Sequence, residues 1–465
     1  MGMRKHSQRK PSSERSKHAP QSKCAKPRSG SKEVFGFTAA FEQLCEGSSL
    51  PTVGKRRGRP ARVPLKSLLS ALVFHFMHSA GTLAEHFAML FEDSLCDSAC
   101  SDRRARLPWE VFTQLMQRAL RPLSHKLRHP ESFWRGWRLL ALDGTQFSLT
   151  NTPQNNQLMP KAKSRRGKAA FAKIVTGVLL EVGLHNPLAA AIGHRGQSEW
   201  SLAMSLLAQI PKKALLLADR LHGCAAFVAE AWAACQRVGS HFLIRARTQI
   251  KAQTVRRLKD GSRLIRVPVR PKGKARVILQ WLELREIKVR VGRRGCKSQE
   301  LRLWTSLLDP KSAPATELVE LYARRWEHEL YYREIKHALR KSEVLQSHTV
   351  MTAAQEIAAI LLASSLLAKE RASAAAGEVP VWRMSFVKTL ELMRPLWLVF
   401  ELGADLLSDD QKEALIERFY EQARRMVSRK RRARSCPRAV RQPVSSWPRL
   451  LTNKSFEGPL RFTFV

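Results

Sequence analysis

The sequence predicts an α/β protein: a mixed sheet flanked by helices, interrupted by a β-rich insertion and bracketed by helical N-terminal and C-terminal regions. Three observations carry this reading. Short apolar runs divided by turn residues begin near residue 135 and then alternate with helical stretches, as a mixed sheet requires. From 252 to 308 the alternation stops and strand-like runs follow one another. On either side, Leu, Phe, Val and Met recur at helical spacing.

Taken in order, 65–90 and 109–127 read as helices of an N-terminal helical domain. Strands follow at 137–142, 173–182 and 187–192, then a helix at 198–209, a strand at 214–218, a helix at 224–237 and a strand at 241–245. The insertion holds strands at 264–269, 277–284, 287–291 and 301–305, with Lys259-Asp260-Gly261 at a turn. Helices return at 315–339 and 353–369. The run 357–368 is apolar but shorter than a bilayer span and reads as a buried helix. The resulting organisation is a disordered basic arm (1–50), a helical domain (51–130), an α/β domain (135–345) with its insertion at about 250–308, and a helical, basic C-terminal region (346–465).

Composition narrows the function. In 465 residues, 81 Lys+Arg face 39 Asp+Glu, a net charge of +42, and 44% of residues are hydrophobic. That excludes a small disulfide scaffold and a wholly disordered chain, and it makes nucleic acid the leading partner. The first 32 residues hold ten Lys/Arg, one Glu and few bulky apolar side chains, too little burial to offset ordering. No secretory apolar stretch opens the chain and eight cysteines are scattered, so the expected setting is a reducing cytoplasm, with no membrane partner.

Basic segments mark where DNA would lie. Lys55-Arg56-Arg57-Gly58-Arg59-Pro60 has the flat, basic Gly-Arg-Pro core that fits a narrow A/T-rich minor groove, with Arg57 and Arg59 as contacts; a charged linker has the same composition. The loop 161–173 carries Arg165, Arg166 and Lys168 among six cations that would follow a phosphate backbone, or simply face solvent. The run 424–434 reads either as non-specific DNA contact or as a solubilising face.

In so basic a chain, acids closing apolar strands stand out, because a carboxylate there needs a cation or another polar partner. Asp143 follows Leu139-Leu140-Ala141-Leu142, and Asp219 follows Leu215-Leu216-Leu217-Ala218. Each would also serve as an ordinary turn or cap residue. The third element is the stretch Tyr322 to Lys336: at helical pitch Tyr322, Arg325, Glu329 and Lys336 fall within an arc of roughly 60°, and Arg333 adds a cation to the same helix. A solvated helix with an Arg325–Glu329 pair fits this stretch alone. Together, Asp143, Asp219 and Glu329 supply the oxygen ligands that two Mg²⁺ or Mn²⁺ ions take at a phosphorus centre, with Arg and Lys beside them for phosphates.

These residues resemble a known family. The spacing Tyr322-x2-Arg325-x3-Glu329-x6-Lys336 is similar to the Y-R-E-K box of the insertion-sequence family-four DDE transposases, and Leu-Asp143-Gly-Thr and Ala-Asp219-Arg resemble the settings of that family's aspartates. The resemblance covers about 135–345. It implies an RNase H-like core, Asp143, Asp219 and Glu329 as catalytic metal ligands, and Tyr322, Arg325 and Lys336 as contacts to DNA phosphates near the element end. It also implies cut-and-paste transposition with terminal inverted repeats and target DNA as partners, and a homodimer on DNA, with the helices from Ala353 onward as its surface. Some relatives stack a flipped base on a Trp of the last insertion strand. Trp304 lies on that strand in a displaced register, which leaves Leu301 or Trp281 for such a role, while core packing is the expected role of both tryptophans. A general metal-dependent nuclease and an inactive DNA-binding derivative are the competing readings.

Overall fold

Leucine-rich, alternating runs assemble one eleven-stranded sheet in the computed structural model. The structure describes residues 36–464 apart from 46–62, 79, 92, 160, 165–166, 272–275, 293–297, 404, 429–438, 441–448 and 451–460. Its central strands are β1 (Trp137–Ser148), β2 (Lys173–Glu181), β3 (Asn186–Ile192), β4 (Ala214–Ala218) and β5 (His241–Arg245). They lie in the order β3-β2-β1-β4-β5, antiparallel among the first three and parallel from β1 to β4 to β5, the mixed order of an RNase H-like core. The insertion continues the sheet through β6 (Gln253–Arg257), β7 (Arg263–Val269), β8 (Gln280–Gly292) and β9 (Gln299–Thr305), with β9 pairing to β5. A last strand, β10 (Arg461–Phe464), pairs with β8.

The helices are α1 (Phe37–Cys45), α2 (Leu65–His75), α3 (Leu83–Leu90), α4 (Asp97–Ala105), α5 (Trp109–Ala119), α6 (Pro153–Leu158), α7 (Glu199–Leu206), α8 (Ala225–Arg237), α9 (Ala315–Tyr322), α10 (Trp326–Glu334), α11 (Val350–Ala375), α12 (Phe386–Leu402) and α13 (Asp409–Arg425). Strand alternation sends Leu140, Leu142, Leu216 and Ala218 to the face covered by α7 and α8, and Leu139, Ala141, Leu215 and Leu217 to the face covered by α9. Both faces are buried, which is why β4 reads as a continuous apolar run. A third core joins α1, α2, α5, α11 and α12 to β1, β2 and α10.

Several expectations need correction. The arm expected to be disordered through residue 50 is ordered at 37–45, because Phe37 of α1 buries its ring beside Phe74 and Trp397 and Phe41, also buried, stacks on Phe37. The N-terminal and C-terminal helices share one core, so the boundaries drawn near residues 130 and 346 do not separate packed units. Helix α11 runs well past the apolar stretch read from sequence; it is long and apolar enough to cross a membrane, yet 94% of its apolar window is buried inside the chain. It therefore offers little of the surface assigned to dimerisation. The C-terminal region, expected to be helical, also contributes the strand β10 to the sheet.

The insertion departs from the reading in one instructive place. A break was expected at Arg285-Glu286, yet β8 runs through it. Each charge is met across the sheet: Glu286 by Arg263, Arg302 and the Trp304 indole at 3.0 Å, and Arg285 by Asp260 and Ser262. Satisfied in this way, buried ions continue a strand that composition alone would end.

Candidate active site

The two aspartates are set by strand register. Leu142 pairs in parallel with Ala218, so the following residues, Asp143 and Asp219, emerge side by side. Asp143 does not close its strand, contrary to expectation: β1 continues to Ser148 against β2, and only the parallel neighbour β4 stops. The site is therefore a notch in the sheet where β1 loses β4.

Each aspartate is oriented locally. The Asp143 carboxylate accepts from the Gly144 N–H at 2.9 Å. Asp219 accepts from the Leu221 N–H at 2.8 Å and from His222 Nδ1 at 2.9 Å. His222 is fully buried against Phe227, with Nε2 unpartnered. The loop lies this close to β5 because of Gly223: a Cβ there would meet the Arg245 carbonyl oxygen at 2.0 Å.

The stretch expected as one helix at 315–339 bends its hydrogen bonding twice. It runs as α9, a 3₁₀ turn at Ala323–Arg325, α10 and a π turn at Ile335–Leu339. Tyr322 and Tyr332 tie it to both strands, donating to the Ala218 and Asp143 carbonyl oxygens at 3.3 Å and 2.8 Å. Arg325 donates to Asp143 at 3.3 Å and to Glu329 at 2.8 Å, bringing the helix carboxylate to the aspartates. Lys336 donates to Thr145 Oγ1 at 2.6 Å and the Gln146 carbonyl at 2.9 Å, with its ammonium over the Phe147 ring.

Electrostatics follow from this crowding. Burial, then the neighbouring Asp219, pushes the Asp143 carboxyl up to about 6, against the pull of Gly144 N–H and Arg325. Burial pushes Asp219 up, but the His222 bond and charge, the Leu221 N–H and Arg325 together outweigh it and hold the carboxyl low. Burial and the nearby Arg340 and Lys173 bring Lys336 down to about 8. Burial pushes the Tyr322 hydroxyl up to about 12.

Six of the predicted residues thus converge: Asp143, Asp219, Tyr322, Arg325, Glu329 and Lys336. Tyr322 does so in a different role from the expected phosphate contact, since it is buried with its hydroxyl spent on β4. Arg333 is exposed on α10 and apart from these contacts. Lys168 belongs to a short strand, Gly167–Lys168, paired with Lys163–Ser164. Arg57, Arg59, Arg165 and Arg166 lie outside the described residues. Trp304 is fully buried as expected and Leu301 is partly buried, whereas Trp281, expected in the core, is exposed on β8.

Sequence reasoning missed His222, Tyr332 and Glu199. Tyr332 was within reach, as it falls beside the Arg325–Glu329 arc at helical pitch. His222 had only an i,i+3 spacing from Asp219, common to any turn. Glu199 had no signal beyond an acid opening a predicted helix, yet its carboxylate lies directly over Gly144, where a Cβ would come within 2.4 Å of Cδ.

The donor chemistry fits a hard divalent ion: Asp143, Asp219, Glu329 and Glu199 offer oxygen alone. Among the described residues no three such groups already close on a single point, because the Arg325 guanidinium stands between Asp143 and Glu329.

Comparison with known proteins places this geometry in a family. Residues 134–366 match the transposase DDE domain family, and the chain belongs to it. Its affinity is with the insertion-sequence family-four type, and the family depends on divalent metal ions. The transposase InsG of insertion sequence element IS4 from Escherichia coli K12 is 28% identical over 272 residues, 58% of this chain and 60% of that protein. The putative transposase InsZ of the same organism is 33% identical over 95 residues, 20% of this chain and 32% of its own length. The chain therefore spans less than two thirds of either relative. Among solved structures, a cryo-EM structure of the piggyBac transposase synaptic complex with hairpin DNA aligns over 83% of this chain and 85% of that one, with a TM-score of 0.46 and 8% identity.

Proposed function

We propose that this protein is a cut-and-paste DNA transposase that hydrolyses the phosphodiester at each end of its element and joins the freed 3′-OH to target DNA. The observation that carries this reading is the in-register pair Asp143 and Asp219 sharing a notch with Glu329 through Arg325. Asp143, Asp219 and Glu329 would hold two Mg²⁺ or Mn²⁺ ions, which when bound supply Lewis-acid activation of the attacking and leaving oxygens.

The chain's own residues account for the rest. Arg325, shared by two carboxylates in the protein alone, is the cation nearest the acids and is suited to exchange a carboxylate for a phosphate. Lys336, pinned beside Thr145 and Gln146, places a second cation at fixed distance along the strand. Tyr322 and Tyr332 hold the helix at both strand ends. Arg333, Arg165, Arg166, Lys168, Arg57 and Arg59 would add backbone and groove contacts, and the charge of +42 is consistent with a polyanionic partner.

Pairing two element ends calls for a homodimer on DNA. The exposed Val387, Val399 and Leu402 of α12 offer an apolar surface for it in place of α11. The setting would be the bacterial cytoplasm, on the nucleoid, without a membrane partner.

The test incubates wild type and Glu329→Gln with Mg²⁺ and DNA carrying both flanks of the protein's own gene, and maps products at nucleotide resolution. Cuts at both ends with joined products, absent in the variant, are expected. Scattered, unjoined cuts would mark a general nuclease instead, and binding without cutting would mark an inactive derivative.

A further inference from the structure

We propose that Glu199 is a fourth carboxylate of this active site and binds divalent metal together with Asp143 and Asp219; the inference rests on the transposase reading above. Its position is built rather than incidental. Gly144 and Gly177 face each other across β1 and β2. The absence of side chains there lets α7 settle onto the strands: a Cβ on Gly177 would meet Leu206 Cδ1 at 3.3 Å and Leu202 Cβ at 3.4 Å. The first residue of α7 is Glu199, and its carboxylate fills the space a Gly144 side chain would take, with Cδ at 2.4 Å and Oε1 at 2.6 Å from that Cβ. The residue beneath it is the one after Asp143.

Capping does not explain this acid. Ser198 caps α7, its hydroxyl accepting from the Ser201 N–H at 3.2 Å. Glu199 forms no ion pair with Lys or Arg among the described residues, although the chain has 81 such cations. It is half-buried within electrostatic reach of Asp143, Asp219 and His222, whose Nε2 is buried without a partner. Asp143 and Gly144 are consecutive in β1, so Glu199 reaches the notch from the face opposite the Asp143 carboxylate; with Arg325 committed to Asp143 and Glu329, this further acid leaves negative charge that one guanidinium does not balance. A divalent cation taking oxygen ligands from both sides of the sheet edge would balance it.

The test compares full-length wild type, Glu199→Gln and Gly144→Ala by Mn²⁺ binding, read by electron paramagnetic resonance, and by paired-end cleavage across a Mg²⁺ titration. Gly144→Ala displaces the Glu199 carboxylate without removing it. Both variants are expected to bind Mn²⁺ about tenfold or more weakly and to need correspondingly more Mg²⁺ for half-maximal cleavage, while circular dichroism and DNA affinity stay unchanged. Wild-type Mn²⁺ affinity and Mg²⁺ dependence in a folded Glu199→Gln protein would overturn the proposal alone. A wild type that binds no Mn²⁺ and cuts no ends would overturn the transposase reading and this one with it. Reduced cleavage that extra Mg²⁺ does not restore, with Mn²⁺ binding intact, would assign Glu199 a packing role and also overturn it.

Discussion

The Tyr332 hydroxyl donates to the backbone carbonyl oxygen of Asp143 at 2.8 Å. One side chain of the glutamate-bearing helix thereby fixes the strand at the residue whose carboxylate faces Arg325. Tyr332→Phe removes this bond and little else. It should cost about 1 kcal/mol of stability while slowing single-turnover strand cleavage by roughly tenfold, since small misplacements of reacting groups are expensive. Thermal unfolding and cleavage kinetics on the same preparation check both figures.

Asp143 carries a stability cost that its role requires. Its carboxyl is pushed up to about 6 from an ordinary 3.8, so between those values the folded protein holds a proton that the unfolded chain has released. Stability therefore falls as pH rises from about 4 through 6. Asp143→Asn should abolish cleavage yet raise metal-free stability at pH 7 by about 1–2 kcal/mol, part of the gain being lost with the Arg325 pair. Denaturation in EDTA across pH 4–8 would show the variant's advantage growing with pH.

The N-terminal helices should fail in acid by the opposite titration. His75 and His86 meet Nδ1 to Nδ1 at 3.0 Å, with His78 packed on His86. Burial first, then Lys341, His86 and Arg104, brings His75 down to about 3; burial, His86, Arg394 and Lys341 bring His78 to about 4, while Glu85 faces His86 with the opposite charge. Below pH 6.5 the unfolded chain takes up protons that these rings refuse. Stability is then lost as pH falls from 6.5 toward 4, at about 1.4 kcal/mol per pH unit for each fully shielded ring. His75→Phe should flatten that slope in urea titrations.

In the insertion, Glu286 is the shared partner of Arg263, Arg302 and Trp304. Glu286→Gln leaves buried guanidinium charge short of its counterion and should destabilise the protein by about 3 kcal/mol. Urea denaturation monitored by tryptophan fluorescence would report it, and an unchanged midpoint would contradict the shared-partner account.

Much of this architecture is legible in the sequence because β4 and the apolar half of β1 are buried on both faces, and Leu139 to Leu142 and Leu215 to Ala218 advertise that directly. The Y-R-E-K spacing likewise carries the helix carboxylate and its cations. What escaped the sequence depends on partners distant along the chain. Arg285 and Glu286 look like a strand break until Asp260 and Arg302 are brought against them. Glu199 reads as a surface acid until Gly144 and Gly177 let α7 descend. Phe37 and Phe41 lie beside a basic, punctuated stretch whose composition hid a helix that only Phe74 and Trp397 make worthwhile.

The central claim is that Asp143, Asp219 and Glu329 act as one metal-binding set in strand cleavage. The most direct measurement is cleavage by Asp219→Cys in Mg²⁺ and in Mn²⁺, because thiolate is a poor ligand for the harder ion and a better one for the softer. The account predicts a loss of about a hundredfold or more in Mg²⁺ with substantial recovery in Mn²⁺; cleavage at the wild-type rate in Mg²⁺ would contradict it.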